Sequence, residues 1–210
     1  MKINAVFLKK QKTGHIRVRA GEADRSLLTV FSVIILSMLC GALAYSLNKN
    51  AFSGELWNAF VSYMTNKNGK SLIELFSGLY IIDLFTLLLL TIFGTASFGF
   101  APAIATIIFR TTGIGTIGSY LFSNYTFVGL KYFYLIILPG KIFLFFGLML
   151  AAQNCLQTGK KIKLIVGGKT SDSVDKKLFL FRNTVSAIIF ALSALTDALL
   201  MYCASSSFNF

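Results

Sequence analysis

Hydrophobic positions run along this chain in long unbroken stretches, without the alternation of a half-buried strand. About 20 apolar residues, wound at a rise of about 1.5 Å each, cover the roughly 30 Å of hydrocarbon in a bilayer. The first such stretch is 27–47 and the last is 184–204. Between 72 and 156 the chain is apolar almost throughout, so spans there must be counted from the residues that punctuate it. These are Gly94, Gly99 and Pro102, then Arg110 with Gly113, Gly115 and Gly118, then Ser123-Asn124-Tyr125, and finally Pro139-Gly140. The pattern predicts spans at 75–98, 103–122 and 127–155, the last broken in its middle by Pro139-Gly140. Backbone groups freed by such a break find no partner in lipid, which turns the break toward the bundle interior. A re-entrant course for 99–123 is the alternative to a full crossing there.

The remaining segments are polar: a tail at 1–26, a loop at 48–71, a second loop at 157–183, and a short end after the last span within 184–210. In the first loop Phe52, Leu56, Trp57, Phe60, Val61 and Met64 recur at helical spacing, predicting an amphipathic helix that begins near Ser53. Its apolar face lies on the membrane surface, or its anchors Leu56, Trp57 and Phe60 dock a partner.

Composition turns these stretches into a class. Of 210 residues 55% are hydrophobic and only 13% charged, with a mean hydropathy of +0.71, which excludes an ordinary water-soluble domain. The formal charge is +12, and its placement says more than its sum. Seven of the 20 Lys and Arg residues precede the first span, and seven more (Lys160, Lys161, Lys163, Lys169, Lys176, Lys177, Arg182) lie before the last. Short basic segments beside spans stay on the cytoplasmic side, so both ends of the 72–156 block are oriented. The loop before it is outside and the loop after it inside, which demands an odd number of crossings, and three fit. The expected fold is all-α: a polytopic transmembrane bundle of about five spans, N-terminus inside and C-terminus outside, with one broken or re-entrant helix region. The basic segments suit anionic lipid headgroups. Neither interleaves cations with aromatics in a nucleic-acid-binding pattern, so no nucleic-acid partner is expected.

Reactive chemistry is sparse. The one histidine, His15, sits in the basic tail, and Cys40, Cys155 and Cys203 show no C-x-x-C spacing. No metal site, cofactor or catalytic constellation is expected, and the chain is read as no enzyme. Gly167-Gly168-Lys169-Thr170 is read as a tight basic turn, because Lys163 stands where a phosphate-binding loop needs its first glycine. The informative residues are the ionisable ones at membrane depth: Asp83, Arg110, Lys131, Lys141 and Asp197. Each costs about 2.5–3.5 kcal/mol at a helix centre on insertion scales, so each is expected to face the bundle or an aqueous pocket. Asp83 and Asp197 lie on spans of opposite direction at similar depth, with Lys131 and Lys141 as countercharges. Ion pairs that lock packing are one reading, a substrate or proton pathway a second, and lysines that snorkel while one acid stays protonated a third. Gly113, Gly115 and Gly118 predict close helix approach.

The order of these features resembles the stage II sporulation protein M family. The resemblance rests on Gly94-x4-Gly99-x2-Pro102, Arg110-x2-Gly113-x4-Gly118, Leu138-Pro139, a basic inner loop and Asp197 late in the final span, across about 72–204. Asp83 departs from the family pattern, in which an amide stands near that place. The resemblance implies a bacterial five-span cytoplasmic-membrane protein without catalytic residues, a scaffold that localises peptidoglycan-remodelling partners of the cell envelope in sporulation. The alternative is a transporter or permease subunit with a charged intramembrane pathway. A homo-oligomer is compatible with either.

Overall fold

A computed structural model of the protein describes residues 26–49, 71–96, 100–168 and 175–204. The expected amphipathic helix with Leu56, Trp57 and Phe60, and also Gly99, lie outside the described residues. Among the described residues the structure is helical and contains no strand. The helices are α1 (Ser26–Leu47), α2 (Leu72–Gly94), α3 (Phe100–Tyr132), a five-residue π-helical turn (Phe133–Ile137), α4 (Leu138–Val166) and α5 (Lys176–Ala204). Four helices are long and apolar enough to cross a membrane: 26–47, 72–94, the continuous stretch 101–166, and 176–203.

Helix α2 starts three residues earlier than the hydrophobic pattern predicts, because Ser71 and Glu74 form a capping box. The Glu74 amide donates to Ser71 Oγ (3.3 Å) and the Ser71 amide donates to Glu74 Oε2 (2.9 Å), satisfying two otherwise orphaned donors. In α3, Pro102 falls in the first turn, where no intrahelical N–H bond is lost.

The stretch 101–166 has 66 residues, far more than one crossing uses. It folds back on itself at Thr126, whose backbone is non-helical (φ 50°, ψ −127°). Pairs on either side of Thr126 approach in mirrored order. A Cβ on Gly129 would lie 2.6 Å from the Leu121 carbonyl carbon, and one on Gly118 3.1 Å from the Phe133 ring. The arms 100–125 and 127–166 are therefore antiparallel. The reversal comes one residue after Ser123-Asn124-Tyr125.

One expectation about helix integrity changes here. The 100–125 arm is helical throughout, without a break. Nor is the second arm broken at Pro139-Gly140: it passes through the π-turn, in which the Leu138 amide donates to the Phe133 carbonyl. Proline offers no N–H and its ring crowds the carbonyl four residues back. A widened turn just before it relieves the crowding without ending the helix.

Helices α4 and α5 pack side by side in antiparallel register, matching Gly140 with Ser193, Gly147 with Phe190, Asn154 with Asn183 and Gln157 with Arg182. Helix α2 lies against both, and its last residue, Gly94, meets Cys155, a Cβ there falling 3.1 Å from the Cys155 Cα. Helix α1 leans on α3 through Gly41 and Gly115. Added Cβ atoms would come 2.9 Å from the Thr112 and 2.8 Å from the Met38 carbonyl carbons, so only glycine permits that approach. The core between helices holds Leu75, Leu79, Leu90, Ile107, Leu121, Leu144, Leu148 and Phe190. Large apolar residues such as Leu36, Phe85, Phe109 and Phe146 cover the outside, a perimeter suited to lipid and not to water.

The segment 157–183, read as a loop from its charge, is mostly helix. Helix α4 runs on to Val166, where Gly167 and Gly168 (φ 66°) turn the chain, and α5 begins at Lys176. Glycine suits this left-handed helix end because it has no Cβ to clash.

Candidate functional site: four buried charges

Asp83 stands midway along α2, with residues 72–82 on one side and 84–94 on the other, about 16 Å of helix each way. It is 1% exposed, and Arg110 of α3 donates to its Oδ1 through Nη2. Lys141 and Asp197, 3% and 1% exposed, form a second pair, Lys141 Nζ donating to Asp197 Oδ2 at 2.5 Å. Lys141 is set by the helix restart after the π-turn. It is the fourth residue of α4, immediately after Gly140, and faces α5.

The two pairs form one electrostatic unit. The charge of Lys141 acts on Asp83 as well as on Asp197, and the charges of Arg110 and Asp83 act on Asp197. Two acids and two bases cancel, which is how ions are tolerated at this depth. Two buried atoms nevertheless have no hydrogen-bond partner, Arg110 Nε and Asp197 Oδ1. Next to Asp197, Ser193 Oγ donates to the Gly140 carbonyl (2.9 Å), tying α5 to the backbone of α4.

Gly140 is glycine for a local reason. A Cβ there would sit 2.5 Å from Asp197 Cγ and 3.0 Å from the Ser193 carbonyl oxygen, in space the carboxylate already occupies. Gly94 and Gly118 also meet neighbours closely, whereas Gly113 does not. A Cβ on Gly113 would find nothing within 4 Å, and the close approach expected of it belongs to Gly115 on the same helix and to Gly41 on α1. The two differ by about 200° around α3, which places them on opposite faces.

Lys131 also moves out of the expected set. It is exposed on the arm beyond Thr126 and takes part in neither ion pair. The countercharge to Asp83 is Arg110.

A second polar layer, not anticipated from sequence, joins α2, α4 and α5 near the Gly94 end. Asn154 Nδ2 donates to Asn183 Oδ1 (2.8 Å) and to the Phe179 carbonyl (3.2 Å), and Asn183 Nδ2 donates to Thr91 Oγ1 (3.3 Å). Arg182 Nη1 donates to Gln157 Oε1 (2.5 Å). The signal was present in part: Gln157, Arg182 and Asn183 fall in the segment read as loop, while Thr91 and Asn154 lie inside expected spans. Among the described residues no three His, Cys, Asp or Glu side chains gather as a metal site would require.

Fold and site together define the class: an all-helical protein with four helices apolar and long enough to cross a membrane, enclosing two linked ion pairs. Comparison with protein-family models, with curated proteins and with solved structures finds no match to this chain.

Proposed function

We propose that the chain is a five-span protein of a bacterial cytoplasmic membrane, N-terminus inside and C-terminus outside. In this reading it acts as a non-enzymatic platform that localises cell-envelope partners of peptidoglycan remodelling. The observation that carries the platform reading is the antiparallel α4–α5 pair. If α2 ends at the hydrocarbon edge, at Gly94 and Cys155, then residues 156–166 carry α4 about 16 Å further. That length traverses the headgroup layer and emerges from it. The hairpin exposes Lys160, Lys161, Lys163, Lys176 and Lys177 together with Leu164, Val166 and Leu178. The lysines suit anionic headgroups, and apolar side chains beyond them suit a protein partner. The resemblance to the stage II sporulation protein M family points the same way. The reversal at Thr126 supports five crossings, since it divides 101–166 into two arms.

The test replaces Leu164, Val166 and Leu178 by Ser, and separately Leu56, Trp57 and Phe60 by Ser, in membranes of the native host. A cell-wall synthase or hydrolase cross-linked to the parent chain is expected to be lost from one of the two variants while insertion is unchanged. Identical cross-links in both would end the platform reading. Orientation is read from Cys203, exposed near the end of α5. Five spans require a membrane-impermeant maleimide to reach it from outside intact cells.

A transport reading has one observation in its favour, the unpartnered Oδ1 of Asp197 beside the π-turn. It requires that Asp197→Asn abolish flux of a solute while leaving the bundle folded.

A further inference from the structure

Asp197 is served on one side only. Its Oδ2 accepts from Lys141, while Oδ1 is buried without any donor, in a residue 1% exposed. A carboxylate has about four acceptor sites, and each one left empty in a dry interior weakens the case for the anion. An acceptor, the Ser193 carbonyl oxygen, lies on the same side of Gly140 as Oδ1. Oδ1 fills the space that a Cβ on Gly140 would take, and the Ser193 carbonyl oxygen lies 3.0 Å from that Cβ position.

Ser193 lies four residues before Asp197 on α5, so that carbonyl takes the helical amide and keeps a second lone pair. Side-chain O–H donation to the carbonyl four residues back is already the habit of this bundle. Thr86, Thr111 and Thr196 all make it, at 2.8–3.0 Å. A protonated Oδ1 would be a donor of the same kind, on the same side of Gly140 as the carbonyl four residues back.

We propose that Asp197 is a proton-binding site, the proton resting on Oδ1 and directed at the Ser193 carbonyl. The step is an addition: a proton from bulk water forms the O–H bond, and no other bond breaks. Three charged groups act on Asp197: Lys141 of α4 and Asp83 of α2, on the helices packed against α5, and Arg110 of α3. Once Asp197 is neutral, Asp83 is the remaining anion of the cluster, acted on by both Arg110 and Lys141. The α4–α5 contact loses its ion pair beside the π-turn and keeps the Ser193–Gly140 hydrogen bond. Proton uptake thus loosens one of two adjacent links between these helices. This inference stands apart from the platform reading, and its test needs no partner.

The test is infrared difference spectroscopy of the full chain in bilayer discs as pH is lowered, with circular dichroism to verify that the helices persist. Expected is the C=O band of a buried protonated carboxyl, retained in Asp83→Asn and absent in Asp197→Asn. Gly140→Ala, which crowds the carboxyl group, is expected to shift that band, and it serves if Asp197→Asn fails to fold. A folded protein without the band overturns the proposal, as does a band that survives Asp197→Asn or ignores Gly140→Ala.

Discussion

Gly140→Ala is the smallest change that reports on the buried charges. The added methyl would lie 2.5 Å from Asp197 Cγ, about 1 Å inside the 3.5–4.0 Å at which carbon atoms rest. Two responses are open. Asp197 can swing away, abandoning Lys141 and leaving both ions buried, at about 3–5 kcal/mol. Alternatively α4 and α5 can separate by roughly the same 1 Å, loosening Leu144, Leu148, Phe190 and Ala194, at the 1–3 kcal/mol typical of overpacking. The cheaper response decides, so a loss of about 1–3 kcal/mol is expected. The usual helix-propensity gain of Ala over Gly offsets little, because helices persist in the membrane's unfolded reference state. Cys155, buried against Gly94, supplies the assay. With Cys40 and Cys203 changed to Ser, a thiol-reactive dye labels the protein only as the bundle opens on heating. Gly113→Ala, with nothing within 4 Å, is the control and should move the midpoint little. In an Asp197→Ala background the cost of Gly140→Ala should fall by about 1 kcal/mol or more. An unchanged cost there would refute the claim that the carboxylate fills the space above Gly140.

Further outcomes follow from the same geometry. Asp83→Asn leaves the Arg110 guanidinium without its counterion and should cost about 3–5 kcal/mol, while the double change with Arg110→Gln should cost less than Asp83→Asn alone; both are read by the thiol assay. Exchanging the second pair, Lys141→Asp with Asp197→Lys, should recover part of the stability that either single change removes, and failure to recover any would mean the pair is held by more than charge. Thr126→Gly should raise the unfolding midpoint by the equivalent of about 1 kcal/mol, since a β-branched residue at φ 50° is strained and glycine is not.

Much of this protein is written along the chain. Runs of about 20 apolar residues can satisfy their backbone only as helices once in lipid, so the all-helical class and the approximate helix positions follow from hydropathy and punctuation. Cost alone singled out Asp83, Arg110, Lys131, Lys141 and Asp197, because an ion at membrane depth persists only with a reason. The partners had to wait for tertiary structure. Which base meets which acid depends on how helices distant in sequence rotate and slide against one another. In this way Arg110 joins Asp83, and Lys131 is left outside. Punctuation has the same limit. Pro139-Gly140 announces a disturbance, yet neighbouring helices determine whether it becomes a break or a π-turn, and Asp197 is why Gly140 must be glycine. Gly113 and Gly115 look alike in sequence, but they point in nearly opposite directions around one helix, and only the one facing α1 is a contact. Sequence alone determined the solvent, the helices and the charges that need partners. Tertiary structure decided which faces meet, because a helix displays all its faces equally until another helix covers one.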